Sequence, residues 1–329
     1  MDQKIRARII GTGSYTPPRR MTNADFEKIV DTSDEWIVSR TGIRERRIAD
    51  DNMHGSDMTV EACHNALEMA QCGTDEIELL IVGTVTPDYR LPSTACVVQE
   101  KMGLHNAVAF DVVAACAGFL NGLAIGASFI ETGVYKRVLA VGVEKLTAFT
   151  NYKDRNTCVL FGDAAGAALL APDDNGRGVV STFLKSDGRL RPLLWSRTGG
   201  TVNPYTPDFV YDGTDKIIMN GSDVFKVAVR EMSKAALKVI ADAGLQPSDI
   251  SLVVPHQANI RIIEALAKRL HVGMDRVFLN IEKYGNTSAA SVPLALDEAN
   301  RQGRIKPGDY VVMVAFGGGL IWGAALVKW

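Results

Sequence analysis

Paired cysteines are missing from this 329-residue chain: Cys63, Cys72, Cys96, Cys116 and Cys158 are odd in number and include no CxxC. That argues against both a disulfide framework and a zinc site and leaves free thiols. An excess of one charge sign is missing too. With 36 Lys and Arg against 38 Asp and Glu, the formal net charge is -2, and no broad basic surface for nucleic acid is expected. Residues 1–8 carry Lys4, Arg6 and Arg8 but lead into a strand-like stretch and Gly11 rather than the apolar core of a signal peptide, so a cytoplasmic protein is expected. The uncharged stretch 112–130 is long enough to raise the question of a membrane span. Asn121, Ser128 and glycines at 118, 122 and 126 interrupt it, and it stands alone, so a buried central helix accounts for it better. The motifs GxxxxGKS/T, HExxH and GxSxG are absent. Gly11-Thr12-Gly13 follows a strand-like run, but position 16 is not glycine, and Pro17 and Pro18 arrive where a dinucleotide-binding helix would continue. Nicotinamide chemistry is therefore not expected.

What is present is the composition of a soluble globular protein, 47% hydrophobic and 22% charged, long enough for two domains or one large duplicated one. Apolar runs of strand length alternate with helical periodicity, the pattern of an α/β protein with largely parallel, buried strands. Their order occurs twice. A helical segment at 58–70 leads through Gly73 to a strand at 77–82, and one at 224–243 leads through Gly244 to a strand at 250–254. Further on, each half opens a small-residue helix at a turn, near Cys116 and near Asn286, and each helix feeds a strand, at 137–142 and 310–315. Glycine-rich segments follow from Phe161 and from Phe316, and both read as sharp turns between buried strands. An internal duplication is expected. Pro172, Asp173, Asp174, Asn175 and Gly176 break the apolar pattern and divide the chain into halves 1–175 and 176–329. Equivalent loops of two such halves meet across a pseudo-twofold axis at one shared site.

Several positions have chemistry suited to such a site. Cys116 lies between a strand-like run, 107–113, and a helix-like run from Ala117. Its sulfur is expected at a helix N-terminus, where the dipole and free N–H groups favour the thiolate and lower its pKa; a buried structural cysteine is the alternative. His256 and Gln257 follow Pro255 at the end of the strand 251–254, where open α/β sheets place ligands. Taken alone, His256 reads as a surface or structural histidine. Asn286, in Gly285-Asn286-Thr287-Ser288, suits a turn or an N-cap. Gly317, Gly318 and Gly319 let a backbone N–H approach a ligand as an oxyanion hole requires, or simply form a buried turn. Thr32-Ser33-Asp34-Glu35 resembles a capping box. It places Trp36 and Arg40 on one helix face, an arrangement that holds an adenine ring and a phosphate or packs as core tryptophan with solvated arginine.

Together, TNADFEKIVDTSDEWIVSRTGIRERRI from Thr22, DVVAACAGF from Asp111, VPHQANIRII from Val254, YGNTSAASVPLALDEA from Tyr284 and AFGGGLIWGAALV from Ala315 resemble, in order and over essentially the whole chain, the β-ketoacyl-[acyl carrier protein] synthase III family. The resemblance implies a thiolase-like five-layered α/β architecture, αβαβα, from two duplicated halves, and a homodimer. It implies Cys116, His256 and Asn286 as the catalytic trio, with the backbone N–H groups of Cys116 and Gly318 as the oxyanion hole. Cys116 would take an acyl group from a short acyl-CoA, acetyl-CoA foremost. Malonyl-[acyl carrier protein] would then lose CO₂ and attack the acyl-cysteine, giving 3-oxoacyl-[acyl carrier protein]. No cofactor or metal is implied, acyl-CoA being a substrate.

By the same resemblance, Trp36 and Arg155 flank the CoA adenine with Thr32 and Arg40 nearby, and Gly221, Phe225 and Asn259 line the pantetheine tunnel. Lys226, Arg261, Lys268 and Arg269 are candidates for docking the acidic carrier protein, and Leu91 occupies a position near a dimer interface and the acyl pocket. The chain departs from the family pattern mainly at 189–216, a stretch suited to shaping the mouth of the site. Other readings stay open. One is a related synthase priming a secondary-metabolite pathway, another a non-catalytic CoA-binding scaffold. A thiol hydrolase also uses Cys, His and Asn, although the residues around Cys116 do not match one.

Overall fold

In the computed structural model, which describes residues 5–329 and so leaves Lys4 outside, the elements that build the site follow in chain order. The first half contributes β1 (Arg6–Tyr15), α1 (Asp34–Thr41), α2 (Gly55–Ala70), β2 (Leu79–Gly83), α3 (Thr94–Met102), β3 (Val108–Val112), α4 (Gly118–Glu131), β4 (Val138–Lys145) and β5 (Asp163–Asp173). The second contributes β6 (Gly178–Ser186), α5 (Gly221–Asp242), β7 (Leu252–Pro255), α6 (Ile260–Leu270), α7 (Ser291–Arg301), β8 (Tyr310–Gly317) and β9 (Ile321–Lys328).

One sheet has the order β1-β5-β4-β2-β3 and the other β6-β9-β8-β7. In each, the second strand runs against both its neighbours while the rest share a direction. The expectation of largely parallel strands therefore holds for direction but not for pairing. A connection as short as 318–320 closes only an antiparallel pair. The place matching β3 in the second sheet is marked by a single bridge, Val277 to Val253.

Helices α2 and α3 cover the outer face of the first sheet and α5 and α6 that of the second, while α4 and α7 lie between the sheets. This is the thiolase-like αβαβα arrangement. Because both flanks of α4 are covered, it is apolar all round, which explains the uncharged stretch 112–130. Phe119, Leu120 and Leu123 of α4 share one buried cluster with Leu79 and Ile81 of one sheet and Val254 and Met313 of the other. Each such side chain contributes about 1.5–3 kcal/mol on burial. Among the described residues, no helix is long and apolar enough to cross a membrane.

Two glycine expectations need correction. The segment from Phe161 is not a turn: the turn precedes it at 159–160, Phe161 bridges to Asn286, and from Asp163 it is strand β5. Gly166 stands inside that strand because α7 passes so close that a Cβ would lie 2.7 Å from the Leu294 nitrogen. Gly11 and Gly13 likewise lie within β1 rather than after it, and a Cβ on either would lie 2.2 Å from a carbonyl oxygen of α2. The segment from Phe316 does turn, between β8 and β9. The division at 175/176 falls in the turn after β5, where the Asp173 carboxylate accepts from the backbone N–H of Asn175 and Arg177.

Candidate active site

Three element ends deliver Cys116, His256 and Asn286 to one cavity of about 1480 Å³. The chain leaves β3 and enters a 3-10 turn, Ala115–Ala117, that runs into α4, with Ala115 at φ 45°. The equivalent turn before α7, Ser288–Ala290, begins with Ser288 at φ 48°. A non-glycine residue in this left-handed region is strained, and strain of this kind collects at functional sites. The end of β8 abuts the cysteine turn so closely that a Cβ on Gly317 would lie 2.5 Å from the Cys116 nitrogen.

His256 continues the line of β7, its N–H donating to the Val314 carbonyl at 2.8 Å. Its ring borders the cavity, is 2% exposed, and has no hydrogen-bond partner at Nδ1. Burial pushes the imidazole down to about 4, so it is neutral at physiological pH. Asn286 is clamped through its backbone: its N–H donates to Leu160 at 2.8 Å and its carbonyl accepts from Gly162 at 3.1 Å. Its Oδ1 accepts from the Ser288 N–H at 2.9 Å, which leaves the amide nitrogen to donate into the cavity. A neutral imidazole and an amide are hydrogen-bond donors, and neither is a strong base.

The sulfur departs from expectation. Burial pushes the Cys116 thiol up to about 12; the Ser288 hydroxyl opposes that shift and the Glu144 carboxyl adds to it. A lowered pKa was expected from a helix N-terminus, but the 3-10 turn sets the cysteine before α4 and desolvation outweighs the dipole. Ser288 and Glu144 were missed in the sequence. The available signals were the one acid within the otherwise apolar strand around Val143 and a hydroxyl two residues beyond Asn286.

At the outer end, two guanidinium groups lie over the Trp36 ring, Arg40 at 4.7 Å and Arg155 at 5.0 Å from the centroid; Arg40 lines the cavity with Trp36, whereas Arg155, expected beside the CoA adenine, does not. Helix α1 starts here because the Ser33 hydroxyl, rather than Thr32, accepts from the Trp36 N–H. Thr32 does not line the cavity, yet its hydroxyl is buried without a partner. Arg155 is held by the Asp31 carbonyl at 2.7 Å, and Asn259 donates to the Arg40 carbonyl at 2.8 Å.

Between these ends, Gly221, Phe225, Asn259 and Gly318 border the cavity, as do Lys226 and Arg261. Lys268 and Arg269 do not line it; they lie in the exposed last turn of α6. Leu91 is also outside: it is 88% exposed and touches no part of the cavity, so within a single chain it is not an acyl-pocket residue. Of the stretch 189–216, Arg191, Leu194, Trp195 and Ser196 form part of the wall. Among the described residues, no group of three or more His, Cys, Asp or Glu is placed to hold a metal ion.

The depressed His256 pKa makes a stability prediction. Unfolded, the ring takes its proton near 6.5; folded, only near 4. The unfolded chain therefore binds more protons between these values, and stability present above pH 6.5 falls as the pH drops through about 4. Denaturant unfolding followed from pH 7 to 4 is expected to show a loss on the order of 3 kcal/mol that His256→Gln does not share. Parallel curves for the two proteins would refute the neutral, desolvated ring.

With this geometry in place, comparison with known proteins is direct. Residues 110–188 match the model of the 3-Oxoacyl-[acyl-carrier-protein (ACP)] synthase III family, and residues 240–329 match the model of its C-terminal part. The beta-ketoacyl-[acyl-carrier-protein] synthase III of Caldanaerobacter subterraneus subsp. tengcongensis is 51% identical over 329 residues, covering 100% of this chain and 99% of that protein. The protein of the same name from Clostridioides difficile is 52% identical over 324 residues, covering 98% of each. The crystal structure of 3-oxoacyl-[acyl-carrier-protein] synthase III from Aquifex aeolicus superposes with a TM-score of 0.92 at 46% identity, over 98% of this chain and 100% of that one. Fold and site define an acyltransferase of the thiolase-fold condensing class. The chain belongs to the β-ketoacyl-[acyl-carrier-protein] synthase III family, the condensing enzymes that initiate fatty-acid synthesis.

Proposed function

We propose that Cys116 is the nucleophile of a two-stage exchange between a short acyl-CoA and malonyl-[acyl carrier protein]. The observation that carries this reading is one cavity lined by a thiol, an imidazole and a carboxamide together with Trp36 and the guanidinium of Arg40. In the first stage the sulfur attacks the thioester, the backbone N–H groups of Cys116 and Gly318 receive the developing oxyanion, and CoA leaves. Each well-placed donor of this kind lowers the barrier by about 3 kcal/mol. In the second, malonyl-[acyl carrier protein] loses CO₂. His256 and Asn286 donate to the thioester oxygen as it gains enolate charge, and the carbanion attacks the acyl-cysteine. Decarboxylation generates the carbanion in place, so neutral donors suffice and no cofactor is needed.

By the family resemblance the CoA adenine packs against Trp36 and Arg40, with Arg155 and Thr32 outside the cavity wall nearby, and the pantetheine arm fits along Gly221, Phe225 and Asn259. The acidic carrier protein docks on Lys226 and Arg261 at the rim, and Lys268 and Arg269 extend the same basic face along α6. The edge strand β3 is unpaired on one side, and Val108, Val113 and Leu91 are exposed near it. Such an edge suits pairing with a second copy, and in the cytoplasmic homodimer proposed here Leu91 belongs to the interface. The two halves, 1–175 and 176–329, are read as a duplication because their sheets share one strand order.

The test is mass spectrometry after incubation with isotopically labelled acetyl-CoA. A stable acetyl mass on the peptide carrying Cys116, discharged by malonyl-[acyl carrier protein] and not by water, is expected. Rapid release of free acetate would identify a hydrolase instead, and an unlabelled Cys116 would rule out the nucleophile.

A further inference from the structure

Glu144 is a carboxyl group for which the two-stage exchange supplies no task. It lies near the end of β4, completely buried. It accepts from the Val85 N–H at 3.1 and 3.2 Å, from the Thr86 hydroxyl at 2.7 Å, from Thr84 at 3.3 Å and from Ser288 at 3.2 Å. None of these partners is cationic. The neighbouring Lys145 turns its ammonium away, onto the carbonyls of Asp50, Asp51 and Met53. A buried carboxylate without a cation takes up a proton readily, and burial accordingly pushes Glu144 up to about 7.

Ser288 links this carboxyl to the reacting atom. Its hydroxyl donates to Glu144 and lines the same cavity as the Cys116 sulfur, and the turn that carries it packs directly against the cysteine turn. With its hydrogen directed at Glu144, the oxygen keeps lone pairs for the thiol proton. The left-handed backbone at Ser288 holds the side chain in this position. A thiol raised to about 12 must surrender its proton to attack a thioester, and an imidazole lowered to about 4 cannot retain one.

We propose that Ser288 and Glu144 form a proton relay for the acylation stage, with Ser288 as a catalytic residue on the sulfur and Glu144 as a positioning residue and proton store acting through it. As the bond from Sγ to the acyl carbon forms, the Sγ–H bond breaks and its proton passes to Ser288 Oγ. The Ser288 proton passes in the same motion to Glu144 Oε1. The thioester C–S bond then breaks, and its electron pair leaves on the CoA sulfur. The stored proton returns through Ser288 to that sulfur, so CoA departs as the thiol and Glu144 is ionised again. The relay rests on Cys116 being the nucleophile.

The two stages are measured separately: rapid-mixing acetylation of Cys116 by labelled acetyl-CoA, and condensation by enzyme already acetylated. Glu144→Gln and Ser288→Ala are each expected to slow acetylation about a hundredfold while changing condensation less than about threefold. Glu144→Asp should recover part of the loss, and the acetylation rate of Glu144→Gln should lose the wild-type inflection near pH 7. Wild-type acetylation rates in both the Gln and Ala variants, or equal slowing of the two stages, would overturn the relay. Should Glu144→Gln fail to fold, Ser288→Ala carries the same comparison. Absence of label from wild-type Cys116 would overturn the nucleophile assignment, and the relay with it.

Discussion

Cys116→Ala is expected to lower condensation by about 10⁴-fold or more and to leave no acetyl mass on the protein. The loss is large because the covalent intermediate has no substitute: His256 and Asn286 are neutral donors, and neither can hold an acyl group for a second substrate. The variant should not be inert. Those two donors and the cavity wall remain, so malonyl-[acyl carrier protein] should still lose CO₂ and leave acetyl-[acyl carrier protein], uncoupled from any 3-oxoacyl product. Measuring CO₂ and 3-oxoacyl product side by side checks both halves of the statement. Full condensation by this variant would remove the nucleophile assignment, and loss of CO₂ release along with condensation would show that the donors depend on the sulfur.

The second large effect concerns how the halves meet. A Cβ added at Gly142, in the middle of β4, would lie 2.1 Å from the Ala289 carbonyl oxygen and 2.6 Å from its carbon. Both atoms are backbone, so no rotamer relieves the clash, and the turn before α7 must move away from the sheet. That turn carries Ser288, and its first N–H holds the Asn286 side chain. Gly142→Ala is therefore expected to cost about 3 kcal/mol or more of stability, together with most of the activity of the fraction that still folds. Gly188→Ala is the control: nothing lies within 4 Å of its Cβ and its φ is not positive, so its melting curve should overlay the wild type. A Gly142→Ala protein that melts with the wild type would mean that the halves are not in this contact.

How much of this was legible in the chain depends on how local each property is. The turns at Cys116 and Asn286 and the strand end before His256 follow from periodicity and punctuation within a few residues, and five ordered segments tied them together. Properties set by distant neighbours were not legible. The segment from Phe161 reads as a turn in sequence because its Gly166 is there to admit α7, and α7 begins more than a hundred residues later. A helix end makes Cys116 reactive through a local dipole, whereas the burial that raises its pKa comes from residues far off in the chain. Leu91 was placed from the family pattern, and in a single chain it faces solvent. Glu144 did carry a signal, an acid within an apolar strand, but its meaning lies in Ser288, which arrives from the other half.

The matching bends before α4 and α7 are not interchangeable. Ala289 holds, one residue after Ser288, the place that Cys116 holds one residue after Ala115. Its side chain is fully enclosed and its carbonyl is wedged against Gly142. A sulfur at that position would meet no cavity and no substrate. Symmetry thus stops at the backbone trace, and with Cys116 as nucleophile each polypeptide is expected to load one acyl group.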